Sequence, residues 1–184
     1  RPVENHRVAI VLNGNARAVT ERVVRDIRHL LHDDPSSLYV SQSLDQARFI
    51  ARHIINRGYD VVLCGGGDGT FSQVVSDITA LRPRRVPSFG VLRLGTGNAL
   101  ANVLGASPSN LGGLSADLAR ARSNVAGPLN LLKVEGRLAP FAGLGLDSMI
   151  LSDYSRIKRS VARTPLSGLL QGGPGYAVAI ATRS

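Results

Sequence analysis

The sequence predicts an α/β fold, a parallel sheet with helices on both faces, followed by the incomplete start of a β-sandwich unit. Three observations predict it. Short apolar runs alternate four times with segments of helical periodicity. The third and fourth apolar runs each lead into a glycine-rich loop that opens a helix. With 43% hydrophobic residues, the 184-residue chain can fill a core, and its length suits one domain or one and a fraction.

Arg7-Val-Ala-Ile-Val-Leu12 reads as a buried strand, and Asn13-Gly-Asn15 turns the chain. Val19, Val23, Val24, Ile27, Leu30 and Leu31 recur at helical spacing, ending near Asp33-Asp34-Pro35. Leu38 to Ser41 is a second strand. Ala47, Ile50, Ala51, Ile54 and Ile55 mark a second helix, stopped by Gly58. Asp60-Val-Val-Leu-Cys64 is a third strand, and Phe71, Val74, Val75, Ile78 and Leu81 form the helix beyond its glycine loop. Pro87 to Leu92 is a fourth strand, followed by helices from Ala99 to about Leu104 and from Leu114 to Arg122. At Gly127-Pro128 the pattern changes: Leu129–Val134 and Leu138–Leu144 read as a hairpin around Glu135-Gly136. The tail from Ser155 is basic, then glycine-rich, with a helical stretch near Tyr176–Ala181. This sets the expected domains at 1–127, an α/β domain, and 128–184, a partial β-type unit.

The net charge is +9 with a pI of about 10.9, carried almost entirely by arginine. Such a surface attracts phosphate or anionic lipid headgroups. The charges are scattered and there is no Trp, which argues against nucleic acid as partner. A single cysteine, Cys64, excludes a disulfide scaffold or cysteine zinc cluster and reads as core. No apolar run reaches the roughly 18 residues that span a bilayer. No basic-then-apolar leader opens the chain, so the expected location is cytoplasmic, peripheral to a membrane at most. Arg1 in place of Met is the mark of a processed chain or a fragment. The pattern fixes no oligomeric state.

Gly65-Gly-Gly-Asp-Gly-Thr70 carries the strongest chemical signal. Glycines let backbone N–H groups approach an anion closely, and the following helix aims its positive end at the same point. Thr70 suits either a helix cap or a phosphate ligand. Asp68 puts a carboxylate beside the loop, where it could hold a metal-bound water or accept a hydroxyl proton. Gly95-Thr-Gly-Asn98 repeats the arrangement; alone it would be an ordinary turn with Asn98 as N-cap. In a parallel sheet both loops lie at the carboxyl ends of strands, beside Asn13-Gly-Asn15, facing one crevice. Other motifs fail on spacing. Neither lysine follows a glycine, so there is no P-loop, and neither loop completes Gly-x-Gly-x-x-Gly. No Gly-x-Ser-x-Gly elbow is present. His29 and His32 beside Asp33 and Asp34 read as solvated residues at a helix C-terminus, favoured by its dipole, rather than as metal ligands.

At Gly65–Thr70 and Leu94-Gly-Thr-Gly-Asn-Ala-Leu-Ala101 the sequence resembles the catalytic domain of the diacylglycerol kinase and sphingosine kinase lipid-kinase family, of one superfamily with NAD kinase and phosphofructokinase. Pro128-Leu-Asn-Leu-Leu132 and Gly143-Leu-Gly-Leu-Asp147 are most similar to the sphingosine kinase branch. The resemblance runs from about Arg7 to Ser155. It implies that Gly66, Gly67 and Thr70 cradle the ATP phosphates and that Asn13 contacts the nucleotide, with Arg17 a phosphate partner. Ser41 stands for the family's Thr at the end of the second strand, and Gly95, Thr96, Gly97 and Asn98 for its second loop. It further implies Asp68 as the base for a lipid hydroxyl, and Asp147 and Arg156 as contacts to the lipid headgroup and phosphate. The implied cofactors are ATP and Mg2+, with no metal-ligating residue assigned, and the implied partners are a lipid alcohol and an anionic membrane surface.

The chain departs from the pattern at Ala99 and Asn130, where bacterial diacylglycerol-kinase-like members carry Asp residues that organise Mg2+. The family's late Asp-Gly-Glu segment is also absent. The leading expectation is a lipid kinase. The alternatives are a nucleotide-binding module without catalysis and a kinase of a soluble alcohol such as NAD.

Overall fold

A computed structural model of the chain describes residues 6–142. Four strands, β1 (Val8–Asn13), β2 (Leu38–Ser41), β3 (Val61–Gly66) and β4 (Ser88–Arg93), form one sheet in the order β2-β1-β3-β4. All three pairings are parallel. The connections run through α1 (Glu21–Leu30), α2 (Leu44–Arg57) and α3 (Asp68–Ala80); α4 (Ala99–Val103) and α5 (Leu111–Ser123) follow β4.

Because the central strands are covered on both faces, they are apolar throughout rather than alternating. One core layer packs Val23, Ile27 and Leu31 at α1, and Leu114 and Leu118 of α5, onto Ile10, Leu12, Leu63 and Leu92. The other packs Ile50 and Ile54 of α2, Phe71, Val75 and Ile78 of α3 and Leu100 of α4 onto Ala9, Val11, Val62 and Cys64. Helices therefore lie on both faces, as predicted. Trimming such a fully buried leucine as Leu12 to alanine costs about 2–5 kcal/mol.

Strand β1 is where the winding reverses: the chain steps from β1 outward to β2, then crosses back to β3 on the other side. The carboxyl ends of β1 and β3 thus border a topological switch point, the place where open α/β sheets bind ligands.

Several boundaries differ from those expected. The helix after the first glycine loop starts at Asp68, before its first buried apolar residue, Phe71. Strand β3 runs on through Gly65 and Gly66, which pair with Leu92 and Arg93. The hairpin is shorter than predicted, β5 (Leu132–Val134) and β6 (Arg137–Ala139), with Glu135 and Gly136 at its turn. It rests on α3: Leu138 N–H donates to Ser76 Oγ at 2.9 Å, and Leu131 and Leu138 pack against the α3 core layer. The segment Gly143–Asp147, Arg156 and the expected helix near Tyr176 lie outside the described residues.

Candidate functional site

Three scaffold helices are capped by their own side chains. Thr20 accepts from Val23 N–H, Ser43 from Gln46 N–H and Asn110 from Gly113 N–H. The N-cap residues of α3 and α4, Gly67 and Asn98, make no such bond, and these are the helices that follow the two glycine loops. Thr70 is accordingly not the cap of α3. It lies in the first turn, where its N–H donates to Gly67 O at 2.9 Å. Among the described residues the N–H groups of Gly67, Asp68 and Gly69 have no hydrogen-bond partner. They form the open positive end of a 13-residue helix.

Asn98 is likewise not a side-chain cap. Its amide closes the second loop on itself, Oδ1 accepting from Gly95 N–H at 3.0 Å and Nδ2 donating to Gly95 O at 2.8 Å. The N-terminus of α4 is instead satisfied by Asp68, whose carboxylate accepts from Ala99 N–H at 3.2 Å and Leu100 N–H at 3.0 Å.

The glycines divide by function. A side chain at Gly65 would collide with Leu12 Cδ2 and approach Leu94 Cδ1 at 3.0 Å, so Gly65 belongs to sheet packing and not to an anion cradle. At Gly66 a Cβ would lie 2.8 Å from Thr70 Cβ. At Gly95 it would drive into the Gly67 backbone, 2.6 Å from its nitrogen. The two loops therefore touch, main chain to main chain, at Gly67 and Gly95. Gly69 and Gly97 face open space.

Across the switch point, Asn13 donates from Nδ2 to Thr70 Oγ1 at 3.3 Å and accepts Asn15 N–H on Oδ1 at 3.0 Å. The expected Asn13-Gly-Asn15 turn is thereby built. Ser41 stands in register with Asn13 on β2; it is buried, and its hydroxyl donates to Leu12 O at 3.3 Å. Arg17 and Thr96 are exposed at the rim, and Arg17 has no ion pair among the described residues.

The fold therefore brings Asn13, Ser41, Gly66, Gly67, Asp68, Thr70, Gly95, Thr96, Gly97 and Asn98 to the carboxyl edge of one sheet. Arg17 lies in the loop that leaves β1 at the same edge. Asp147 and Arg156 lie outside the described residues. Sequence reasoning missed Arg93, which ends β4 in register with Gly66 and donates to Asn102 Oδ1 on α4. Its only sequence signal was a charge next to the second loop.

Asp68 is the one carboxylate within the two loops. Among the described residues no group of three His, Cys, Asp or Glu side chains could hold a metal. His32 instead pairs with the exposed Asp33 at 2.8 Å. Asp68, the single carboxylate of the two loops, is by itself too small a donor set to cage a metal. Cys64 is core, and burial pushes its thiol up to about 12. No helix among the described residues is long and apolar enough to cross a membrane.

Residues 7–129 match the model of the diacylglycerol kinase catalytic domain. The chain is 32% identical over 101 residues to "Probable lipid kinase YegS" of Escherichia fergusonii, covering 52% of this chain and 32% of that protein. It is 36% identical over 69 residues to a diacylglycerol kinase of Staphylococcus aureus, covering 38% of this chain and 21% of that one. The chain thus spans about a third or less of the length of these curated relatives. A crystal structure of a diacylglycerol kinase from Bacillus anthracis superposes with a TM-score of 0.57 at 19% identity, covering 85% of this chain and 53% of that one. At that identity the likeness speaks for the fold.

Proposed function

The chain belongs to the diacylglycerol kinase catalytic domain family, and from that premise we propose that it carries the nucleotide half of an ATP-dependent lipid kinase. The reaction would move the γ-phosphoryl group of ATP to the hydroxyl of a lipid of the diacylglycerol or sphingoid-base class. One observation carries the reading: the one uncapped helix N-terminus at the switch point among the described residues, that of α3, opens between two glycine loops in contact.

Phosphoryl transfer asks a protein mainly for positioning and charge stabilisation. The N–H groups of Gly67, Asp68 and Gly69, with the Thr70 hydroxyl, would hold phosphate oxygens. Thr96 and the Gly97 backbone would close on them from the second loop. Asn13 and Ser41 would define the nucleotide end of the crevice, and Arg17 would add positive charge at its rim. Mg2+, arriving with ATP, would neutralise phosphate charge. Asp68 would orient the acceptor hydroxyl and take its proton as the new P–O bond forms and ADP leaves.

Residues 128–184, with Asp147 and Arg156, would begin the lipid-binding unit. The basic surface would hold the protein on the cytoplasmic side of an anionic membrane. Labelled ATP incubated with a panel of lipid alcohols and with NAD tests the reading. Labelled phospholipid is the expected product; labelled NADP, or ATP binding with no product, would replace it by one of the two alternatives.

A further inference from the structure

The geometry assigns Asp68 a second role, as a positioning residue that latches the second glycine loop to the first. Asp68 opens α3, yet both carboxylate oxygens accept N–H groups from α4, 31 and 32 residues away in sequence. Helix α4 has five residues, too few to be stable by itself. Its own N-cap is unavailable, because the Asn98 amide is committed to Gly95. What keeps α4 in place is therefore the burial of Leu100 and Ala101, the Arg93 guanidinium on Asn102 Oδ1, and at its N-terminus the charge-assisted bonds from Asp68.

The loop preceding α4 has little freedom once the latch is made. Asn98 fixes the loop internally, and Gly95 lies against the Gly67 backbone. Gly67, Asp68, Gly95 and α4 are consequently one mechanical unit. A phosphate on the α3 N-terminus acts on the residue that holds α4, so the two halves of the phosphate site are formed together. The kinetic consequence rests on the phosphoryl-transfer reading; the latch itself does not.

A base alone predicts that Asp68→Asn or Asp68→Ala lowers kcat and leaves KM for ATP unchanged. A latch predicts that Asp68→Ala also raises KM, and that Asp68→Asn, which keeps one acceptor oxygen, restores part of KM without restoring kcat. Amide hydrogen exchange on the protein without nucleotide reads the latch directly. In Asp68→Ala, exchange at Ala99 and Leu100 should quicken roughly tenfold or more, while the α3 core amides of Val75 and Ile78 stay protected. Unchanged exchange at Ala99 and Leu100 would overturn the latch. Should Asp68→Ala not fold, Asp68→Asn decides: at least one of the two amides should quicken, and protection of both at the wild-type level would refute the proposal. Quickened exchange in the variant together with no labelled product from the unsubstituted protein would retain the latch and remove the kinase reading.

Discussion

The Asn13 side-chain amide donates to the Thr70 hydroxyl at 3.3 Å, across a sequence separation of 57 residues. This bond spans the point where the sheet winding reverses, joining the end of β1 to the first turn of α3. The same amide orders the β1 turn through Asn15 N–H.

Replacing Asn13 by Ala should weaken ATP binding roughly two- to tenfold, in line with the loss of one neutral hydrogen bond at about 0.5–1.5 kcal/mol. Titration calorimetry with ATP measures it. An unchanged affinity would detach Asn13 from the nucleotide site.

Two glycine substitutions should separate packing from ligand contact. Gly95→Ala forces a methyl into the Gly67 backbone and should cost about 1–3 kcal/mol of stability. Gly97→Ala enters open space and should change stability by less than about 0.5 kcal/mol while weakening ATP. Denaturant unfolding beside ATP titration checks both. Equal stability losses would contradict the division.

The Cys64 thiol, buried and pushed up to about 12 from its ordinary 9.0, should resist alkylation at pH 8 until the protein unfolds. The unfolded chain releases this proton at lower pH than the folded one. Cys64 thus supports the fold fully below pH 9.0, and that support is lost as pH rises toward 12. Cys64→Ala should flatten the alkaline limb of a stability–pH curve; an identical limb would contradict the assignment.

Much of this architecture was legible in the residues. Continuous apolar strands and helical periodicity place β1–β4 and the five helices of the described residues in order, because both signals are local and strong. Both glycine loops were visible for the same reason. The ties between them were not. Asp68 caps a helix 31 residues away, and no spacing rule reports such a partner. Asn98 looks like an N-cap in sequence, but it spends its amide on Gly95. Gly65 looks like part of an anion cradle, but it is glycine because Leu12 fills the space beside it. Adjacent glycines look alike in sequence, and only tertiary packing tells a steric glycine from a ligand-facing one.

A structure of the protein soaked with Mg2+ and a non-hydrolysable ATP analogue bears most directly on the central claim. The account predicts phosphate density at the N–H groups of Gly67, Asp68 and Gly69, between the first glycine loop and Gly95–Asn98, with the nucleoside directed toward Asn13 and Ser41. Phosphates bound away from the α3 N-terminus would contradict it.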